Sequence, residues 1–143
     1  MAIIFKKVQN ISEFSDAIRL RVDVFIIEQK FKPGWEPDEY DRMADHFIAV
    51  DAGTIIGTVR VRQLKKGEFK IERMAIAKSY REKNVGRRLL NFALEHVKKQ
   101  NPKKIWLRSQ VQAKEFYEKC GFVAKSKPFD MYGVQHIDLE YAK

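Results

Sequence analysis

One cysteine in 143 residues, Cys120, excludes an intramolecular disulfide framework. That single thiol and three scattered histidines offer no zinc-ligand spacing, so no metal is expected. Glycine and proline are sparse, seven and four, and leave no collagen-like or low-complexity tract and no flexible linker. Apolar runs end after a handful of residues, too short for a transmembrane helix. The first ten residues lack the apolar stretch and small-residue cleavage site of a signal peptide. Neither a Walker-type phosphate loop nor a post-strand Gly-x-Gly-x-x-Gly pattern occurs. What remains is an ordinary globular balance, 45% hydrophobic and 33% charged, at a length suited to one domain. The expectation is a cytoplasmic chain folded as one domain over residues 1–143.

The net charge of +9 is unevenly spread. Residues 1–61 carry 8 basic and 10 acidic groups, residues 62–104 carry 14 and 4, and residues 105–143 carry 6 and 5. A basic middle suits a polyanionic partner, either nucleic acid, a membrane surface or a phosphorylated small molecule; a solvated lysine-rich surface would have the same composition.

Element by element, residues 3–8 read as a strand. Ser12 is a plausible N-cap for a helix reaching Gln29, with apolar side chains at Phe14, Ala17, Ile18, Val22, Phe25 and Ile26. Residues 31–45, with two prolines and a glycine, form a loop or broken helix. Residues 46–50, 54–64 and 69–77 read as three antiparallel strands joined by turns at 51–53 and 65–67. Residues 86–99 place Leu89, Leu90, Ala93, Leu94 and Val97 on one helical face. A strand at 104–109, a short helix at 111–120 ended by Gly121, and strands at 122–126 and 134–141 complete the chain. A meander followed by β-α-β units implies a mixed α/β (α+β) sheet with helices on its faces.

The chemistry-bearing stretch is the third meander strand leading into the second helix. Arg81, Lys83, Arg87 and Arg88 crowd the loop and first helical turn. A helix start already presents unpaired N–H groups and the positive end of the macrodipole, so four cations there call for an external anion such as a phosphate or pyrophosphate. Gly86 admits close backbone approach, and Asn84 tolerates a left-handed conformation.

The R-x-x-x-x-G-R arrangement from Arg81 to Arg87, after a Met-Ala-Ile strand, resembles motif A of the GNAT superfamily of N-acetyltransferases. Residues 113–122, AKEFYEKCGF, are similar to that family's A-x-x-x-Y-x-x-x-G-F signature, about 30 residues further on. Residues 21–29, 110–122 and 129–140 resemble the small ElaA-like branch, and the inferred element order matches the GNAT fold over nearly the whole chain. One departure is Asn84, which stands where the family's motif usually has its first glycine.

The resemblance implies a GNAT-type fold and acetyl-CoA as co-substrate. Pyrophosphate would rest on the amides of Asn84, Val85, Gly86, Arg87 and Arg88, helped by the side chains of Arg81, Lys83, Arg87 and Arg88, with Phe116 alongside. The pantetheine arm would pair with Met74, Ala75 and Ile76. Tyr117 matches the family's general acid; from spacing alone it reads as a core aromatic beside Phe116. Glu72, two residues before Met74 and so expected on the same strand face, is a candidate base, and Glu28 is another. Glu28 and Tyr40 are candidate contacts for a cationic amine approaching the acidic first third. His46 and His136 read as structural or exposed. The implied activity is direct acetyl transfer to a primary amine of a small molecule or peptide. The alternatives are an acyl-CoA-binding protein without catalysis and, last, a nucleic-acid module, which residues 62–104 disfavour by interleaving only Phe69, Tyr80 and Phe92 among their cations. Dimers are common in the family, so a homodimer is an expectation by analogy.

Overall fold

The structure is a computed structural model that describes residues 2–142; Met1 and Lys143 lie outside the described residues. Eight strands form one sheet: β1 (Ile3–Lys7), β2 (Asp45–Asp51), β3 (Thr54–Lys65), β4 (Glu68–Ile76), β5 (Lys104–Gln110), β6 (Phe122–Ala124), β7 (Phe129–Met131) and β8 (Val134–Tyr141). Their spatial order is β1-β2-β3-β4-β5-β8-β6, with β7 also paired to β8. Every pairing is antiparallel except β4 with β5. That parallel step needs a crossover, and α2 (Val85–Lys98) supplies it.

The apolar stripe of α2 buries Val85, Leu89, Leu90, Ala93, Leu94 and Val97. Most of these join Phe47, Val59, Val61, Phe69 and Ile71 of the sheet in the main core, to which α3 (Lys114–Lys119) is joined through the buried Cys120. Each buried leucine contributes about 2 kcal/mol relative to exposure. The other sheet face is covered by α1 (Ile11–Arg21) and the segment that follows it, where Leu20 and Val24 pack on Ala75.

Three expectations change. The first helix is capped by Asn10, whose side chain accepts from the Glu13 amide at 2.8 Å, and not by Ser12. It ends at Arg21 and continues as a π-helical segment, Val22–Glu28, so one long α-helix becomes two segments with different pitch. The segment Phe129–Met131 is a strand, turning through Tyr132 (φ 55°) and Gly133 (φ 80°) back into β8. The loop after the π-helix contains a 3-10 turn at Pro33–Trp35.

A bulge in β4 decides which face each of its later side chains occupies. Arg60 pairs with Glu72 and Thr58 with Ala75, so three steps on β4 oppose two on β3, and Arg73 takes φ 57°. The extra residue reverses the alternation. Met74 and Ile76 join Phe69 and Ile71 against the α2 core, while Glu72 stays on the face of Arg60. Glu72 and Met74 therefore lie on opposite faces, contrary to the expectation from simple strand period.

Candidate active site

Strands β4 and β5 are paired only from Glu68 and Lys104 to Ile71 and Leu107. Beyond those residues they part, and the edge of β4 from Glu72 to Ile76 has no strand beside it on that side. The parting opens a cleft of about 630 Å³. Met74 and Leu107 line its strand walls, Tyr117 enters from α3, and Phe31, Trp35 and Tyr132 form an aromatic rim. Phe31 stacks on Trp35 at 5.1 Å between ring centroids, and Trp35 meets Tyr132 at 4.6 Å.

Next to this parting lies the start of α2. Asn84 adopts φ 65° and its side chain makes no capping hydrogen bond, so it leaves the first N–H groups of the helix uncapped. Asn84 thus meets the left-handed requirement that a glycine would otherwise satisfy. A Cβ on Gly86 would lie 3.4 Å from the Phe116 ring and 3.5 Å from Ile76, which places Phe116 and the end of β4 against the helix start. Arg87 and Lys83 are exposed, and the Arg88 guanidinium lies 4.7 Å from the Phe5 ring centroid.

Arg81 is placed differently from the expectation. Its Nε donates to the Ile76 carbonyl at 3.0 Å and its Nη2 to Glu28 at 2.8 Å, with a second, shorter bond from Nη1 to the same carboxylate. Arg81 therefore ties the π-helical segment to the end of β4 rather than turning outward with Arg87. Glu28, expected as a base or amine contact, is held below its ordinary pKa by the hydrogen bond from Arg81 and spends both oxygens on that guanidinium.

Tyr117 lines the cleft and is in edge contact with Phe116 at 5.0 Å and Phe122 at 6.0 Å. Burial pushes its phenol well above the ordinary value of 10, so it stays protonated at neutral pH. His136, read from sequence as structural or exposed, also lines the cleft. Its Nδ1 lies 2.8 Å from the Val134 carbonyl oxygen. A carbonyl only accepts, so Nδ1 carries a proton in this contact and Nε2 is the ring nitrogen left without a protein partner among the described residues.

The opposite wall is an ion-pair network that joins α1, the 31–45 loop, β3 and β4. Arg21, 1% exposed, donates to Asp41 at 2.8 and 3.0 Å and to Glu36 at 2.8 Å. Arg60, also 1% exposed, donates to Asp38 at 2.6 Å, Asp41 at 3.0 Å and Glu72 at 2.8 Å. Arg73 pairs with Glu36 at 2.8 Å and Asp38 at 3.1 Å. Arg62 and Lys70 complete the shell of Glu72 at 2.9 and 3.3 Å. Burial alone would raise the Glu72 pKa, but the Arg62 hydrogen bond and the Arg60 and Lys70 charges outweigh it and hold the carboxyl at about 2. Burial opposes ionisation of Asp41 too, and the Arg21 hydrogen bond and charge again reverse the sign.

This network alters three further expectations. Glu72 is a saturated carboxylate shared by three cations and makes a poor proton acceptor. The acidic loop that was to attract a cationic amine spends Glu36, Asp38 and Asp41 on arginines of its own chain. Tyr40 lines the cleft, yet the Arg62 guanidinium covers one of its faces at 3.9 Å.

A family model described as the acetyltransferase (GNAT) domain matches residues 19–143. The chain belongs to the GNAT acetyltransferase family. A candidate acetyltransferase of Bacillus subtilis is 33% identical over 135 residues, covering 92% of this chain and 91% of that relative. Escherichia coli ElaA superposes with a TM-score of 0.89 at 21% identity, over 98% of this chain and 99% of its own, a likeness of fold. ElaA is also 25% identical by sequence over 137 residues, in keeping with an ElaA-like branch of the GNAT family. A candidate streptothricin acetyltransferase from Bacillus anthracis, crystallised with acetyl coenzyme A, matches at a TM-score of 0.64 and 29% identity over 74% of this chain and 69% of its own.

Acetyl-CoA is the co-substrate of GNAT acetyltransferases. The parted β4 edge and the uncapped start of α2 fit such a ligand in this GNAT chain: one offers backbone groups along an extended arm, the other offers amides and cations to phosphate. Among the described residues no group of three or more His, Cys, Asp or Glu side chains is placed to hold a metal ion. Among the described residues no helix is long and apolar enough to cross a membrane.

Sequence reasoning missed the Arg21–Arg60–Arg73 network and the placement of His136. Alternating charges on β3 (Arg60, Arg62) and β4 (Lys70, Glu72) are a usable signal for a shared strand face, but nothing local shows that Arg60 is buried.

Proposed function

We propose that this protein is an acetyl-CoA-dependent N-acetyltransferase that moves an acetyl group directly to a primary amine of a small molecule. The observation that carries this reading is the parting of β4 and β5 beside the uncapped N-terminus of α2, with Tyr117 in the same cleft. Acetyl-CoA supplies an activated acyl thioester. The N–H groups of Val85, Gly86 and Arg87, with the Lys83, Arg87 and Arg88 side chains, hold the pyrophosphate, and Phe116 flanks it; the Arg88 amide is spent on the Asn84 carbonyl at 3.2 Å. Arg81 positions Ile76 and the π-helical segment. Backbone groups of Met74, Ala75 and Ile76 orient the thioester arm and polarise its carbonyl.

The incoming neutral amine forms a C–N bond to the acyl carbon as the C–S bond breaks. Tyr117 donates its hydroxyl proton to the departing sulfur. The proton lost by the amine passes to His136 Nε2, because the carboxylates lining the cleft are already engaged by arginine or lysine. Two measurements test this reading. Calorimetric titration with acetyl-CoA should show saturable binding, and thiol release should depend on added amine. Binding without amine-dependent thiol release across a broad acceptor panel would favour a non-catalytic acyl-CoA-binding role, and absence of binding would refute both.

A further inference from the structure

The acceptor half of the cleft has more donors than its acceptors can use. Its lining holds three carboxylates, Glu36, Asp38 and Glu72, and five cations, Arg60, Arg62, Lys70, Arg73 and Arg108. The carboxylates are full. Glu72 accepts from Arg60, Arg62 and Lys70, Asp38 from Arg60, Arg73 and the Tyr40 amide, and Glu36 from Arg21 while pairing with Arg73. The cations are not. Arg62 uses Nε and Nη2 on Glu72, and Arg108 uses Nε and Nη2 on Asp138, so each retains Nη1 without a protein acceptor among the described residues. Lys70 has one anionic partner, at 3.3 Å, and otherwise lies 4.8 Å from the Trp106 ring centroid.

These donors share one face of the sheet. Arg62 is the cross-strand partner of Lys70, and Lys70 of Trp106, two residues before Arg108. A second cation entering here would meet a surplus of positive charge and no unoccupied carboxylate. An anion would meet partly desolvated donors whose other bonds already hold them in place.

We propose, resting on the acetyltransferase reading above, that the acceptor is an amine which also bears an anionic group, a carboxylate or phosphate, gripped by Lys70 with the free ends of Arg62 and Arg108. The aromatic rim of Phe31, Trp35 and Tyr132 receives the apolar or ring portion of the same molecule. Polyamines and aminoglycosides, which carry several cations, are the wrong class for this cleft.

The test is binding of matched probes to the protein saturated with coenzyme A, followed by amide chemical shifts. The probes are phenylalanine against phenylalaninamide, glucosamine 6-phosphate against glucosamine, and spermidine. At least one anionic probe should perturb the cleft amides with affinity at least about tenfold tighter than its neutral counterpart, the return of one charge-assisted contact. The pair showing the difference tells carboxylate from phosphate. Lys70→Gln should shrink that difference to about threefold or less while leaving coenzyme A affinity unchanged, since Glu72 keeps both arginines. Equal or tighter binding of the neutral probes or spermidine, or no cleft perturbation by any probe, would overturn the proposal. Failure of coenzyme A itself to bind would instead remove the acetyltransferase reading.

Discussion

The two halves of the cleft are built from different materials. The cofactor half is local: a strand edge, a left-handed Asn84 and one helix start, all within residues 74–88 and made largely of backbone. The acceptor half is assembled from side chains distant in sequence, with Arg21, Asp41, Arg60 and Glu72 meeting from α1, a loop and two strands. Backbone N–H groups do not depend on residue identity, so the fold of the first half tolerates substitution if its turn survives. A buried charge is tolerable only while every partner is present, so the second half has little tolerance.

The largest expected break of this comparison is Arg60→Met. It leaves Asp38, Asp41 and Glu72 short of a buried partner and should cost about 3–5 kcal/mol in urea unfolding. If it costs under about 1 kcal/mol, the network is not a rigid element of the fold. Acid should act on the same half. Asp41, Glu72 and His46 all have depressed pKa values in the fold, so the unfolded chain binds more protons below their ordinary values. Their contribution is complete above pH 6.5. It declines first as His46 in the unfolded chain titrates, then more steeply from pH 4.5 toward about 2 as Glu72 is protonated. A melting temperature that rises on acidification from pH 7 to 4 would contradict this sign.

For the cofactor half, Arg87→Glu with Arg88→Glu should weaken acetyl-CoA binding by about 100-fold, two charge reversals beside a polyanion, with little change in urea midpoint. Tyr117→Phe, at the junction of the halves, should lower kcat about 10- to 100-fold and leave acetyl-CoA affinity nearly intact. Wild-type turnover by that variant would end the general-acid assignment. The smallest effect sharpens the role of the turn. Asn84→Val, a β-branched residue forced to φ 65°, should cost about 1–2 kcal/mol, whereas Asn84→Gly should be nearly neutral, both read by thermal melts.

Legibility followed the same division. The apolar spacing of α2 and the turns at Gly53 and Gly67 are local signals, and each stands where the sequence suggested. Asn84 was readable as a left-handed residue because its side-chain type is among the few that adopt that conformation. The roles of Arg81, Glu28 and Glu72 were not readable. Arg81 and Glu28 lie 53 residues apart and meet only when the π-helical segment lies over the end of β4. Glu72 was misplaced because the bulge at Arg73 shifts the strand period by one, and Arg73 carries no glycine to announce a positive φ. Strand β7 was missed because three residues are too few for a period to show.

The amino-acid sequence by itself determined the α/β class, the amphipathic crossover helix and the crowding of cations at the start of that helix, since each depends on residues within one or two turns of one another. Only the tertiary structure decided which charges are spent and which are free. Thirty-three percent of this chain is charged, and whether a given carboxylate receives a substrate or an arginine of its own chain depends on which strands and loops meet, a matter of distances that sequence spacing does not encode.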